Sequence, residues 1–277
     1  MNLAPKIKIS SKRIGLAIGR FFLNTEDLHY GYWPKGKTAT IQNFVEAQGA
    51  HSKLIMDHIP DGTERILDVG SGSGSLALKL INKGFQVDCV IPSEFLAEQV
   101  QAKLGDRSTI HICGFESVAD SEKYDLILFS ESFQYVKLGK SLEKITNMLN
   151  PGGYLLICDF FKRDGLGKSP MGGGHSWQLF RDKIDAYPLC LISDQDITEE
   201  TAPTIDLMAK FNTDVVTPLA EMSGEYLIDH YPQLSKLFRW KFRKRLDKIH
   251  NIYLSGAVNG DSFKQFKKYH LLVYERR

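Results

Sequence analysis

Residues 64–78 read ERILDVGSGSGSLAL, and this stretch decides the fold. Arg65–Val69 is a compact apolar run that suits a buried strand. It runs directly into Gly70, Gly72 and Gly74, and a helix-forming run starts at once. Glycines at such a turn reach positive φ without a Cβ penalty and let a ligand approach the backbone. The free N–H groups of the new helix then face that ligand. The spacing is GxGxG. Ser75 stands where the dinucleotide pattern GxGxxG needs its third glycine, and no Gly-Lys-Ser/Thr of a Walker loop follows.

Outward from this turn, strands and helices alternate. Strands are expected at Gln86–Ile91, Ser108–Cys113, Tyr124–Phe129, Tyr154–Asp159, Pro188–Ser193 and Tyr269–Glu275. Helices are expected at Leu76–Lys83, Glu94–Leu104, Lys140–Leu149 and Ser176–Tyr187, with earlier ones near Ser11–Leu23 and Thr40–Ile59. Residues 162–175 are glycine-rich and read as a mobile loop, and residues 197–250 read as mostly helical. Short apolar strands alternating with helices imply a parallel sheet covered on both faces. The chain divides into an N-terminal helical arm (1–50), a core (51–196), a helical lid insertion (197–265) and a final core strand (266–277).

Composition bounds the rest. The chain has 277 residues, 43% hydrophobic and 25% charged, long enough for a core without disulfide staples. The four cysteines form no CxxC pair and read as small buried hydrophobes of a reduced compartment. A net charge of +2 gives no argument for nucleic acid. No apolar run approaches the roughly 20 residues that span a bilayer, and no signal peptide is visible, so a cytoplasmic protein is expected.

Asp68-Val-Gly70-Ser-Gly72-Ser-Gly74 resembles motif I of class I S-adenosylmethionine (SAM)-dependent methyltransferases. Asn150-Pro151-Gly152-Gly153, followed by an apolar strand, resembles that family's turn before strand five. The resemblance covers residues 63–160. It implies an α/β, Rossmann-like seven-stranded sheet, mostly parallel with the last strand antiparallel, helices on both faces and a helical cap. It implies SAM as cofactor and S-adenosylhomocysteine as product. By the same resemblance Gly70, Ser71, Gly72, Gly74 and Asp68 hold the methionine part. Ile91, Pro92 and Ser93 border the ribose, although Ile91 stands where the family usually has an acid. Phe115 and Glu116 fall at the adenine pocket, or are a buried aromatic and a solvated charge. Ser130 borders the cofactor, with Glu131, Gln134 and Tyr135 towards the substrate.

The segment Leu28-His-Tyr-Gly-Tyr-Trp33 is similar to one found before the core in small-molecule, lipid and quinone-type members. Tyr30 and Trp33 are therefore candidates to cap the cofactor, or simply pin the arm to the core. His175, His29 and Glu131 are the candidate general bases, against structural roles for both histidines. Asp194, Asp196 and His175 have the chemistry of metal ligands but no fixed spacing, and no metal is expected. Residues 236–248 form a basic amphipathic helix, read as a solvated lid helix or a peripheral membrane contact. The expected partner is a small-molecule or lipid-like acceptor, with an O, N, S or C nucleophile, and no nucleic acid. The alternatives are a non-catalytic SAM-binding scaffold and SAM-dependent non-methyl chemistry on the same fold.

Overall fold

The computed structural model describes residues 11–249 and 256–277. The basic positions Lys6 and Lys8 of the arm lie outside the described residues. After the arm helix α1 (Ser11–Ile18) and α2 (Phe44–Asp57), the core alternates strand and helix. In order these are β1 (Arg65–Val69), α3 (Ser75–Asn82), β2 (Gln86–Val90), α4 (Glu94–Leu104), β3 (Ile110–His111), β4 (Tyr124–Ser130), α5 (Leu138–Met148), β5 (Leu149–Lys162), α6 (Trp177–Ile184) and β6 (Leu189–Asp196). Then come α7 (Thr198–Phe211), α8 (Thr217–His230), α9 (Pro232–Ile249), α10 (Gly260–Phe266) and β7 (Lys267–Arg276).

The seven strands form one sheet in the order β3-β2-β1-β4-β5-β7-β6. β7 runs antiparallel to both β5 and β6; the other pairings are parallel. Chain direction across the sheet reverses between β1 and β4, and open α/β sheets bind ligands in the crevice at such a switch point. Alternation along β1 serves both faces. Ile66 joins one apolar layer, with Leu76, Leu80 and Val100 of α3 and α4. Leu67 and Val69 join the other, with Leu142 and Ile145 of α5 and Phe180 of α6.

Two strands differ from expectation. β3 keeps only two residues of Ser108–Cys113: it is an edge strand with a single neighbour, and Ile112 beyond it is exposed. β5 is longer than Tyr154–Asp159. Leu149 already pairs with Tyr124, the Asn150–Gly153 turn becomes an irregularity in the ladder, and β7 pairs with β5 as far as Lys162. All four cysteines are free; Cys89 and Cys158 are buried.

Two edges of the arm-and-lid division fall elsewhere in the structure. The boundary at residue 50 lies inside α2. α7 is built into the body, with Thr198, Thr201, Ala202, Thr204 and Ile205 buried. Beyond it the character changes: from residue 206 to residue 246 no described residue is buried.

Phe133, just past β4, is the hub that joins these parts on the α5–α6 face. Its fully buried ring meets Phe129, His175 and Phe180 edge-on, with centroids 5.2, 5.6 and 5.5 Å away. Phe133→Ala leaves a cavity among rigid rings. It should lower the unfolding free energy by about 3–5 kcal/mol, measured by urea denaturation of purified protein.

Candidate active site

Three positive-φ glycines shape the turn after β1: Gly70 at 82°, Gly72 at 58° and Gly74 at 78°. The Gly70 N–H donates to the Val90 carbonyl (2.8 Å), tying the turn to the end of β2. Gly74 N–H closes the turn on the Ser71 carbonyl (2.8 Å), and Ser71 Oγ donates to the Asp68 carbonyl (2.8 Å). A Cβ on Gly70 would lie 2.4 Å from Ser132 Cβ, so the end of β4 abuts the turn. Ser132 Oγ donates to the Val69 carbonyl and locks that approach. Above Gly72 nothing lies within 4 Å of an added Cβ.

Asp68 is 1% exposed, and its Oδ2 has no hydrogen-bond partner. Burial pushes its carboxyl up to about 7. A buried carboxylate oxygen with no donor is costly unless a ligand supplies one. Ser130 Oγ is a second buried orphan, at the end of β4 beside the same crevice. An open turn of exposed backbone, flanked by an unpaired acid and an unpaired hydroxyl, fits a ligand that carries a cationic donor.

Glu131 follows at once, in the left-handed region with φ 53°. Such a conformation is strained for a residue with a Cβ, and strain of this kind gathers at functional sites. Here it turns the carboxylate towards the arm and β7: Oε1 accepts from the Tyr30 N–H (2.8 Å) and the Tyr269 hydroxyl (2.9 Å). Tyr269 in turn meets His51 Nε2 at 3.0 Å, and the His51 ring stacks on His29 (4.6 Å). Burial pushes Glu131 up to about 8 and holds His51 well below the ordinary histidine range. With the tyrosine proton given to Glu131, His51 donates to the hydroxyl oxygen, and the chain runs His51 to Tyr269 to Glu131. Asp159, at the far side, is 1% exposed and pushed up to about 7 by burial. It accepts from the Gln134 backbone N–H (3.0 Å) and side-chain amide (3.3 Å).

The remaining sequence candidates are distributed as follows. Tyr30 lies between Phe160 and Phe263 (6.5 Å each), on the Glu131 side. Trp33 is 2% exposed; its Nε1 donates to Thr204 Oγ1 (2.9 Å), so the ring pins the arm to α7. His29 donates through Nδ1 to the Tyr30 carbonyl (2.7 Å), and burial lowers its pKa. His175 Nε2 donates to the Phe133 carbonyl (3.0 Å), which fixes the tautomer with Nδ1 as the unprotonated nitrogen. Ile91 is buried in the α3–α4 layer with Leu96 and Val100, and its N–H donates to the His111 carbonyl (2.9 Å). Pro92 is exposed. Ser93 Oγ caps α4 through the Leu96 N–H (3.5 Å). Phe115 is buried edge-on to Phe129 (5.3 Å), and Glu116 accepts from the Lys137 N–H (2.7 Å). Tyr135 is 77% exposed. Asp194 and Asp196 face His270 rather than His175, at 2.6 and 3.8 Å. Among the described residues no cluster of three or more His, Cys, Asp or Glu is placed to hold a metal ion.

Tyr269, His51 and Asp159 join the site without having been candidates. Tyr269 comes from a strand more than a hundred residues downstream, and nothing local marks it. His51 sits amid a half-apolar helix and reads as core. Asp159 ends an apolar strand at the crevice edge, a position that could have flagged it. His111, at the tip of β3 beside Ile91, has a buried, unpartnered Nε2 and is the other polar group at the β2–β3 end of the crevice.

Known proteins resemble this chain in sequence and in fold. Residues 41–199 match the family model described as a methyltransferase domain. A malonyl-(acyl-carrier protein) O-methyltransferase from Ilyobacter polytropus is 29% identical over 102 residues, covering 35% of this chain and 39% of the relative. The curated relatives first matched are thus spanned over about two fifths of their length, 40% in the uppermost. Among solved structures, geranyl diphosphate C-methyltransferase from Streptomyces coelicolor superposes with TM-score 0.69 at 16% identity, over 97% of this chain and 94% of that one. A cyclopropane synthase from Mycobacterium tuberculosis gives 0.67 at 15% identity, over 99% and 100%. At these identities the superpositions establish the fold.

The buried carboxyls make stability pH-dependent. Asp68 and Asp159 rise from 3.8 to about 7, and Glu131 from 4.5 to about 8. Between the ordinary and raised values the native state binds more protons than the unfolded chain, so stability falls as pH rises through that window. Buried His29 and His51, lowered from 6.5, act in the opposite sense below that value, so the ligand-free protein should lose unfolding free energy from about pH 6.5 to about pH 8. Glu131→Gln should remove roughly one proton from that slope, read by urea denaturation across a pH series.

Proposed function

The chain belongs to the methyltransferase-domain family of class I SAM-dependent enzymes, and from that premise we propose that it methylates a small apolar or lipid-like acceptor with Glu131 as general base. The observation that carries the reading is the pairing of an orphaned, buried Asp68 carboxylate with an open glycine turn, across the β1–β4 switch point from the strained Glu131. SAM, when bound, supplies an electrophilic methyl group on a cationic sulfonium.

Asp68 Oδ2 would accept from the ammonium of the amino-acid part of SAM, and an adjacent cation would favour its ionised form. Gly70, Ser71, Gly72 and Gly74 give backbone contact, because any side chain at Gly70 would strike Ser132. Ser130 Oγ supplies a further hydrogen bond. Ile91 offers the ribose no acceptor, which leaves His111 Nε2 and backbone groups at the β2–β3 end. Tyr30, Phe160 and Phe263 form an aromatic wall that suits an apolar acceptor and excludes water. Aromatic faces also favour a nearby cation.

Glu131 takes the acceptor's proton through the carboxylate face left free by Tyr30 and Tyr269. A base whose pKa sits near the working pH is well placed for such a transfer. The two hydrogen bonds to Oε1 fix the carboxyl without consuming Oε2. The names of the relatives support this acceptor class: a malonyl-(acyl-carrier protein) O-methyltransferase, a geranyl diphosphate C-methyltransferase and a cyclopropane synthase. The last of these also keeps alive SAM-dependent chemistry whose product is not a simple methyl adduct.

Calorimetry with S-adenosylhomocysteine is the first test. Asp68→Asn should weaken binding by about 10- to 100-fold, the worth of a hydrogen bond to a charged group. Gly70→Ala should abolish it. An intact protein that does not bind would overturn the cofactor assignment.

A labelled-methyl assay over isoprenoid, quinone and acyl acceptors then tests catalysis. Glu131→Gln should cut kcat by about 10²-fold or more while S-adenosylhomocysteine affinity stays within about threefold. Wild-type kcat/KM should rise with pH to a plateau above about 8. Binding without turnover on any acceptor would favour a scaffold.

A further inference from the structure

The basic helix at residues 236–248 plays no part in the site described above, and it carries exposed apolar and basic side chains together. Leu234, Leu237, Phe238 and Trp240 of α9 are exposed, Trp240 to 77%. At helical spacing Leu234, Phe238, Phe242 and Leu246 form a stripe about a third of the circumference wide, with Leu237 and Trp240 beside it among Lys241 and Lys244, and the Phe238 and Phe242 rings meet at 4.7 Å. Residues 236–248 hold seven basic residues and one acidic, a formal +6 in a chain whose net charge is +2. The side chains of Arg245, Asp247 and Lys248 lie outside the described residues. Arg239 shares a groove with Glu221 and Glu225 of α8, while Lys236, Lys241, Arg243 and Lys244 carry the remaining described positive charge.

We propose that α9 docks the protein on a membrane surface rich in anionic lipid. Charge complementarity selects that occupant. An apolar stripe flanked by lysine and arginine, with an exposed indole among the flanking charges, is the make-up of a helix lying in the headgroup plane. A polyanion such as RNA needs the charges but not the apolar stripe. A second copy of this chain would bring its own +6 against them. α8, with Glu221, Glu225 and Asp229, is repelled by such a surface, so α9 makes the contact and α8 stands behind it. No helix among the described residues is long and apolar enough to cross a membrane. The contact is therefore peripheral, and it delivers a hydrophobic acceptor to the enzyme without exposing that acceptor to water.

Full-length protein is sedimented with vesicles of phosphatidylcholine alone or mixed with phosphatidylglycerol. Binding should be at least about tenfold tighter to the anionic vesicles, and weaker at high salt, since each basic residue near such a surface counts for about fivefold. Lys241→Glu with Arg243→Glu and Lys244→Glu should lose that gain. Phe238→Ala with Trp240→Ala should also lose binding, and Trp240 should account for the blue shift of emission in the wild type.

Equal weak binding to both vesicle types overturns the proposal, as does binding that neither variant changes. Loss in the charge variant alone points to a polyanion site. A concentration-dependent dimer abolished by the Phe238/Trp240 variant, without vesicle binding, points to a second copy. Both variants should bind S-adenosylhomocysteine like the wild type. Failure here therefore leaves the catalytic reading standing, and failure of that reading leaves vesicle binding to be judged on its own.

Discussion

The close approach of the Gly70 turn to Ser132 is the constraint on which the site depends. Two strand ends meet there at a distance that no side chain on Gly70 would permit. Because β1 and β4 are neighbours across the reversal point, the same approach brings Asp68, Ser130 and Glu131 to one crevice. The Ser132 hydroxyl closes on the Val69 carbonyl and makes the meeting a bonded one. The register of β1 on β4 follows from burying Ile66 on one face and Leu67 and Val69 on the other. A slip of one residue would turn Asp68 out of the crevice and an apolar residue into it.

Burial then tunes what the approach has assembled. Asp68, Glu131 and Asp159 are all pushed up, chiefly by loss of water. Their neighbours separate their roles. Asp159 is saturated by Gln134 and the backbone, which makes it a scaffold for the loop after β4. Glu131 has donors on one oxygen only, and Asp68 keeps one oxygen with none. Groups that are buried, raised and incompletely partnered are the ones left with something to do.

How far this was legible in the sequence follows physical range. The Asp68–Gly74 turn was readable because a tight strand-to-helix turn demands glycine locally. β1 and α4 fall at their expected bounds because apolar period and capping residues are local too. Ser130 and Glu131 were within reach as the residues that end β4. Tyr269 and His51 were not: they reach Glu131 only because β7 inserts antiparallel between β5 and β6, a long-range pairing no local pattern carries. Trp33 shows the opposite limit. An indole satisfies its N–H wherever a hydroxyl is buried nearby, and Thr204 supplies one from α7.

The arm, α7 and β7 converge on a single carboxylate. Tyr30 donates from the arm, and Tyr269 from the last strand. Trp33 ties the arm to α7, and the Thr198 hydroxyl accepts from the Tyr269 N–H (2.8 Å). Three pieces remote in sequence thus have their positions set by mutual hydrogen bonds around Glu131, and its strained backbone is held by all of them at once. That over-determination is what allows a non-glycine residue to stay at φ 53°. It also marks where burial stops. α7 is buried where its first turns belong to this network, whereas among the described residues of α8 and α9 no side chain is buried.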